Sequence, residues 1–175
     1  MFVFEEQSIH GVYVIMPQVF GDNRGYFMEV YKDSDFEKKG IHSPFVQDSE
    51  SCSSKGVLRG LHFQKEHTQG KLVRVTEGRV FDVAVDVRPG SPTYGQWCGV
   101  ELDSRSKKMF WIPQGFAHGF LVLSDSATFT YKCTDVYDRS SEGGIFGMMR
   151  PSVSLGQSWI VSTRHQKKMG SLNRL

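Results

Sequence analysis

No apolar run in the chain approaches the ~20 residues that a membrane helix requires. The first residues, Met1 to Gly11, carry no basic segment followed by an apolar one. Neither a spanning helix nor a secretory leader is expected, which points to the cytoplasm. Cysteine is scarce: Cys52, Cys98 and Cys133 are odd in number, widely spaced, and form no Cys-x-x-Cys. That pattern argues against a disulfide framework or a zinc site and for reduced thiols. The six histidines, at positions 10, 42, 62, 67, 118 and 165, include no His-x-His beside a carboxylate. No metal centre is therefore expected. Internal repeats and low-complexity linkers are also missing. The last absence is local. All 19 acidic side chains and 16 of the 21 Lys/Arg fall within residues 1–142, a balance of −3, whereas residues 143–175 hold five Lys/Arg and no acid. Taken alone, such a segment reads as a basic tail for a polyanion.

What is present is ordinary in bulk and informative in pattern. A chain of 175 residues, 39% apolar and 23% charged, suits one domain with a real core. Apolar and polar residues alternate in short runs at Val12 to Ile15, Tyr26 to Tyr31, Leu72 to Val75, Val80 to Val87, Trp97 to Leu102, Lys108 to Ile112, Phe120 to Leu123 and Thr128 to Thr134. Clusters of Gly, Pro, Asn, Asp or Ser separate many of them. Short, turn-punctuated strands at this density, rich in Phe, Tyr, Val and Thr, predict an all-β sandwich or barrel. A jelly roll with a ligand pocket inside it is the expected closure. Little helix is expected; the one candidate is Ser34 to Lys39, with Ser34 as its cap.

Several segments could carry chemistry. Arg59-Gly60-Leu61-His62-Phe63-Gln64 is read as a strand presenting Arg59, His62 and Gln64 on one inner face. Such a trio is costly to bury unless its members meet a ligand or each other; a satisfied structural histidine is the plainer alternative. Lys71 enters an apolar strand. It is either a solvated edge residue or, facing inward, a fixed cation suited to an oxyanion. Asp82, Ala84, Asp86 and Arg88 share a face and could form a buried ion-pair network, structural as readily as catalytic. A Gly-flanked turn presents His118 ahead of a strand. Tyr131 and Tyr137, six apart, share a face if their strand continues; each is either a core residue or a phenol able to donate a proton.

Read together, these segments resemble the dTDP-4-dehydrorhamnose 3,5-epimerase family. The strings are Phe20-Gly21-Asp22-Asn23-Arg24-Gly25, Phe45-Val46-Gln47-Asp48, Val57 to Gln64, Gln69 to Arg74, Phe81 to Asp86, Ser91-Pro92-Thr93-Tyr94-Gly95, Trp111 to Phe120, Tyr131-Lys132 and Ser141-Glu142-Gly143. Their order and spacing hold from Gly11 to Ile145, about 135 residues. The resemblance implies a cupin-type jelly roll over residues 1–145 and a homodimer. It implies cofactor-free, metal-free epimerisation of dTDP-4-dehydro-6-deoxy-D-glucose at C3 and C5, with no nucleic-acid or membrane partner. By the same resemblance His62 is the base, Tyr131 the acid and Lys71 the stabiliser of the enolate oxygen. Arg24, Glu29, Gln47, Asp48, Ser49, Arg59, His118 and Glu142 match substrate-binding positions, and Tyr137 matches the aromatic that stacks on thymine. Ser49 departs from the Asn usual there. A single-position epimerase or ketoisomerase on a related dTDP-sugar, or a non-catalytic sugar-nucleotide-binding cupin, are the alternatives.

After Ile145 the resemblance stops. Members of the family continue with Trp, Asp or Asn, Asp, then Trp-Pro, then a Ser-Glu-Lys-Asp-like segment whose Asp partners the catalytic histidine; here the chain reads Phe146-Gly147-Met148-Met149-Arg150-Pro151, with His165 near where that Asp would fall. Codons read from the third base of each codon restore the missing motifs. Phe146 into Gly147 can give Trp, Gly147 into Met148 can give Asp, and Met148 into Met149 must give Asp, because Met has one codon. Leu155 to Gln157 can give Trp-Pro, and His165 to Met169 can give Ser-Glu-Lys-Asp. Residues 146–175 are thus expected to be an atypical tail, out of frame relative to the family, poorly matched to the barrel. The loss of acidic residues follows from the same slip. A histidine base without its carboxylate should be weaker, unless Asp82 or Asp86 lies close enough to substitute.

Overall fold

The computed structural model describes residues 1–42, 44–151 and 159–165, with side chains through Ile145. Alternation dictates the architecture. Strands β7 (Lys71–Glu77), β10 (Met109–Ile112) and β12 (Ser126–Cys133) put one set of side chains toward a facing sheet and the other outward. They form a six-stranded sheet with β1 (Phe2–Glu6), β2 (Tyr13–Pro17) and β5 (Gln47–Ser54), in the order β1-β2-β10-β7-β12-β5. The second sheet runs β14-β13-β6-β11-β8-β9. Its strands are β6 (Leu58–Gln64), β8 (Arg79–Asp86), β9 (Trp97–Asp103), β11 (Phe116–Val122), β13 (Glu142–Pro151) and β14 (Trp159–His165). Every paired strand is antiparallel, and the chain crosses repeatedly between the sheets, as in a cupin-type jelly roll. The hairpin β3 (Val19–Asp22) and β4 (Gly25–Met28) stands apart from both sheets.

The core lies between the sheets. Val73, Val75, Phe110, Ile112 and Phe129 from the first sheet pack against Val80, Ala84, Phe116, Phe120 and Val122 from the second. Opposite-parity residues make two outer clusters. Leu61, Phe81, Val83, Val85, Ala117 and Ile145 gather on the far side of the second sheet. Ile15, Leu72, Met109 and Trp111 on the far side of the first are covered by Phe36 of the short helix α1 (Asp33–Glu37). The helix falls where the sequence puts one, but Lys32, not Ser34, occupies its N-cap, without a side-chain cap. Phe36 explains the helix better than capping does: it is fully buried in edge contacts with Phe2, Phe4 and Tyr31.

One irregularity matters for the site. Arg59 and His62 are three residues apart, so in a regular strand they would face opposite ways. Strand β11 pairs His118 with His62 but Phe120 with Arg59, two residues against three. This bulge turns both side chains to the interior. It depends on Gly60 and Gly119, which bring the two strands into close approach. Gly60 has φ +130°, and a Cβ there would lie 2.5 Å from Gly119 Cα and 2.8 Å from the His118 carbonyl oxygen. Gly60→Ala is therefore expected to cost about 2–4 kcal/mol, through backbone strain plus overpacking. The check is a lowered urea midpoint with an unchanged slope.

Candidate active site

The interior faces meet around a cavity of about 400 Å³ lined by Ser51, Leu58, Arg59, Gly60, His62, Lys71, His118, Phe120, Phe129 and Tyr131. Five strands from both sheets converge here: β6 brings Arg59 and His62, β11 brings His118 and Phe120, β7 brings Lys71, β12 brings Phe129 and Tyr131, and β5 brings Ser51. Lys71 is thus the inward cation rather than the solvated one. It lies at the start of β7, on the parity of Val73 and Val75, with its Nζ 6.0 Å from the centre of the Tyr131 ring. Burial pushes its ammonium below the ordinary lysine range, against the pull of Cys133, Asp82 and Glu142.

Each histidine has one carboxylate partner. His118 Nε2 lies 2.9 and 3.1 Å from the two oxygens of Asp82, which is fully buried, so the N–H donates to that carboxylate. Burial raises the Asp82 pKa while His118 holds it down. His62 Nδ1 lies 3.2 Å from Glu142 Oε1. Burial is the main influence on His62 and lowers its pKa; Glu142 opposes it, and Lys71 and His118 add to it. The imidazole is therefore biased toward its neutral form, with the Glu142 carboxylate on its Nδ1 side and the Nδ1–H tautomer the one that leaves Nε2 with a free lone pair. Arg59 supplies a second cation, steadied by donation from Nε to Ser53 Oγ at 2.9 Å. The cavity thus combines a neutral imidazole, two cations and a phenol, the parts needed to remove a proton beside a carbonyl and hold the resulting enolate.

Other expected residues are distributed less simply. Gln64 does not face the cavity: its amide donates to the carbonyls of His67 and Val136 and accepts from the Asp138 N–H, tying two loops together. Tyr131 and Tyr137 do not share a strand face, because β12 ends at Cys133. Tyr137 instead sits at the rim, where its phenol donates to Glu142 Oε2 at 2.9 Å and its N–H donates to Gln47 Oε1 at 2.9 Å. Ser49 accepts from the Gln47 amide at 3.1 Å, a small side chain bracing that contact. Asp48 has the opposite parity in β5. It lines a separate cavity of about 360 Å³ and accepts from Lys132 Nζ at 2.6 Å. Arg24 and Glu29 lie outside the His62 cavity; Arg24 pairs with Asp22, and Glu29 lies 3.6 Å from the N-terminal amine.

The expected Asp82–Asp86–Arg88 network divides in two. Asp86 accepts from Arg88, Ser91 and Thr93, which hold its carboxyl well below the usual range despite burial. With Asp82 on His118, neither is a partner of His62. Ser51 was not anticipated: its buried hydroxyl lines the cavity and, among the described residues, finds no hydrogen-bond partner. The even spacing Gln47, Ser49, Ser51 was the available signal. Among the described residues no three His, Cys, Asp or Glu converge as metal ligands, and no helix is long and apolar enough to cross a membrane. His165 is described only in its backbone, opposite Ile145 in the β13–β14 hairpin; residues 155–157 and 166–169, where the sequence suggests restorable motifs, lie outside the described residues.

Comparison with known proteins gives a consistent result. A family model described as dTDP-4-dehydrorhamnose 3,5-epimerase matches residues 6–170. A protein of that name from Methanothermobacter thermautotrophicus is 53% identical over 144 residues, 82% of this chain and 78% of its own length. The crystal structure of a dTDP-6-deoxy-D-glucose-3,5-epimerase from Legionella pneumophila, in complex with dTDP-4-keto-L-rhamnose, is 53% identical. It superimposes with a TM-score of 0.81, covering 83% of this chain and 78% of that one. A 3′-monoepimerase from Streptomyces bikiniensis, in complex with dTDP-quinovose, is more distant: 32% identity, TM-score 0.74, 79% of this chain and 71% of that one.

Proposed function

The chain belongs to the dTDP-4-dehydrorhamnose 3,5-epimerase family, and from that we propose that it epimerises dTDP-4-dehydro-6-deoxy-D-glucose at C3 and C5 to dTDP-4-dehydro-L-rhamnose. The observation that carries the reading is the cavity holding His62, Lys71, Arg59 and Tyr131 together. His62 Nε2 takes the proton from the carbon beside the C4 ketone. The electron pair moves onto the ketone oxygen, where Lys71 and Arg59 oppose the charge. Tyr131 returns a proton to the opposite face of that carbon, and both residues exchange protons with solvent to restore the starting state. The same cycle at the second carbon completes the product without net oxidation or reduction. Gln47, Ser49, His118, Glu142 and Tyr137 hold the substrate, with Tyr137 against the thymine. The higher identity to the 3,5-epimerases than to the monoepimerase favours reaction at both carbons.

The working unit in this reading is a cytoplasmic homodimer. Arg24 and Glu29 do not line the His62 cavity. The hairpin that carries Arg24 exposes Val19, Phe20, Tyr26 and Phe27, an apolar surface suited to a second copy. Residues 1–145 form the epimerase domain and 146–175 are an out-of-frame replacement of the family's C-terminus. The test of function is proton exchange: with substrate in D2O, deuterium is expected at both C3 and C5. Label at one carbon only would make the chain a monoepimerase, and binding of dTDP without any label would make it a non-catalytic binding protein.

A further inference from the structure

We propose that Glu142, held in place by the phenol of Tyr137, is the positioning residue for His62 in this chain, so that the rim of the cavity sets the orientation of the base. This rests on the reading of His62 as the base. Gln47 Oε1 on β5 accepts the Tyr137 N–H, Tyr137 Oη–H donates to Glu142 Oε2, and Glu142 Oε1 lies 3.2 Å from His62 Nδ1, close enough to draw the imidazole proton to that nitrogen. Strand pairing brings the two ends together: β13 lies beside β6 with Glu142 opposite Gln64 and Gly144 opposite His62, so the Glu142 side chain has two residue pairs to span along the ladder. The other carboxylates near the cavity are committed elsewhere, Asp82 to His118 and Asp86 to Arg88.

One carboxylate bridging two donors does two things. It fixes the neutral imidazole as the Nδ1–H tautomer, the only one that leaves Nε2 free to accept a proton. It also ties that choice to Tyr137, whose ring is half exposed at the entrance. A nucleotide base stacked on Tyr137 immobilises the phenol, and through Glu142 the imidazole. Binding energy at a part of the substrate that does not react would then appear in kcat. The charged groups facing His62 are Glu142 from β13, Lys71 from β7 and His118 from β11. Glu142 is the anion among them, so its removal moves the His62 titration to lower pH.

The test uses the full chain and two readouts. By 15N NMR, neutral His62 is expected mainly as the Nδ1–H form. Glu142→Ala should shift it toward a tautomer mixture, and Glu142→Gln should lower its titration midpoint. In kinetics, Glu142→Gln should reduce kcat about 10-fold, the scale of a charge-assisted hydrogen bond. Tyr137→Phe keeps the stacking ring but loses the donor; it should reduce kcat about 3- to 10-fold with KM within about 2-fold. Unchanged His62 tautomer and midpoint in both Glu142 variants would overturn the proposal, as would a Tyr137→Phe effect confined to KM. Lack of deuterium exchange in the unmodified chain would remove the functional reading instead, and the imidazole spectra would still decide this one.

Discussion

His62→Asn is expected to lower kcat by about 10²- to 10⁴-fold while dTDP binding stays within a few-fold, because the proposed mechanism makes the imidazole the proton acceptor and not an anchor for the nucleotide. The geometry supports a loss in chemistry rather than in folding. The His62 side chain is 55% exposed and packs in none of the three core clusters, so its replacement leaves no buried void. Its pH signature is the sharper check. The base works only when neutral, so the rate falls as pH drops through its pKa. Burial lowers that pKa from 6.5. The acid limb of the kcat/KM profile should therefore have its midpoint below that of an unperturbed histidine, ~6.5. In His62→Asn that limb should vanish, and the residual rate should be flat through the same range. A limb that survives the substitution would assign the titration to another group and remove His62 as the base.

Much of this site could be read along the chain, and the failures have physical causes. The jelly roll was legible because its strands alternate cleanly: Val80 and Ala84 face inward, Phe81, Val83 and Val85 face outward, and one period of two explains both clusters. Lys71 was ambiguous until its parity could be tied to Val73 and Val75. Arg59 and His62 share a face, as expected, but only because of a bulge that strand periodicity does not contain; its trace in sequence is Gly60, facing Gly119 across the pair. Tyr137 could not be located by counting from Tyr131, since the strand between them ends. Glu142 was found through resemblance as a contact for substrate, and its link to His62 depends on a register between β6 and β13, strands about 80 residues apart in the chain. Arg24 and Glu29 match the family's pattern in sequence but do not line the His62 cavity, because the β3–β4 hairpin that carries Arg24 stands apart from both sheets.

If residues 146–175 are out of frame, as proposed, inserting one T before the Phe146 codon should raise kcat by about 100-fold over the chain as it stands. The size follows from what an orienting carboxylate contributes. In a serine-protease triad, loss of the histidine's carboxylate partner costs about 10⁴ in kcat. Glu142 already supplies part of that orientation here, so the gain from returning the family's Asp should be smaller, about 10². The two effects must also interact, since a single Nδ1–H cannot donate fully to two carboxylates. In the frame-restored chain the penalty of Glu142→Gln on kcat should fall from about 10-fold to about 2-fold, a coupling that a double-mutant cycle measures directly. With the imidazole oriented by the restored Asp, Glu142 would act on substrate alone, and the same substitution should act mainly on KM. Equal activity of the two chains would mean that the C-terminal Asp is dispensable and that Glu142 alone suffices. A gene whose codons cannot yield Trp-Asp-Asp at Phe146 to Met149 would instead make residues 146–175 a true divergence of the family's C-terminus.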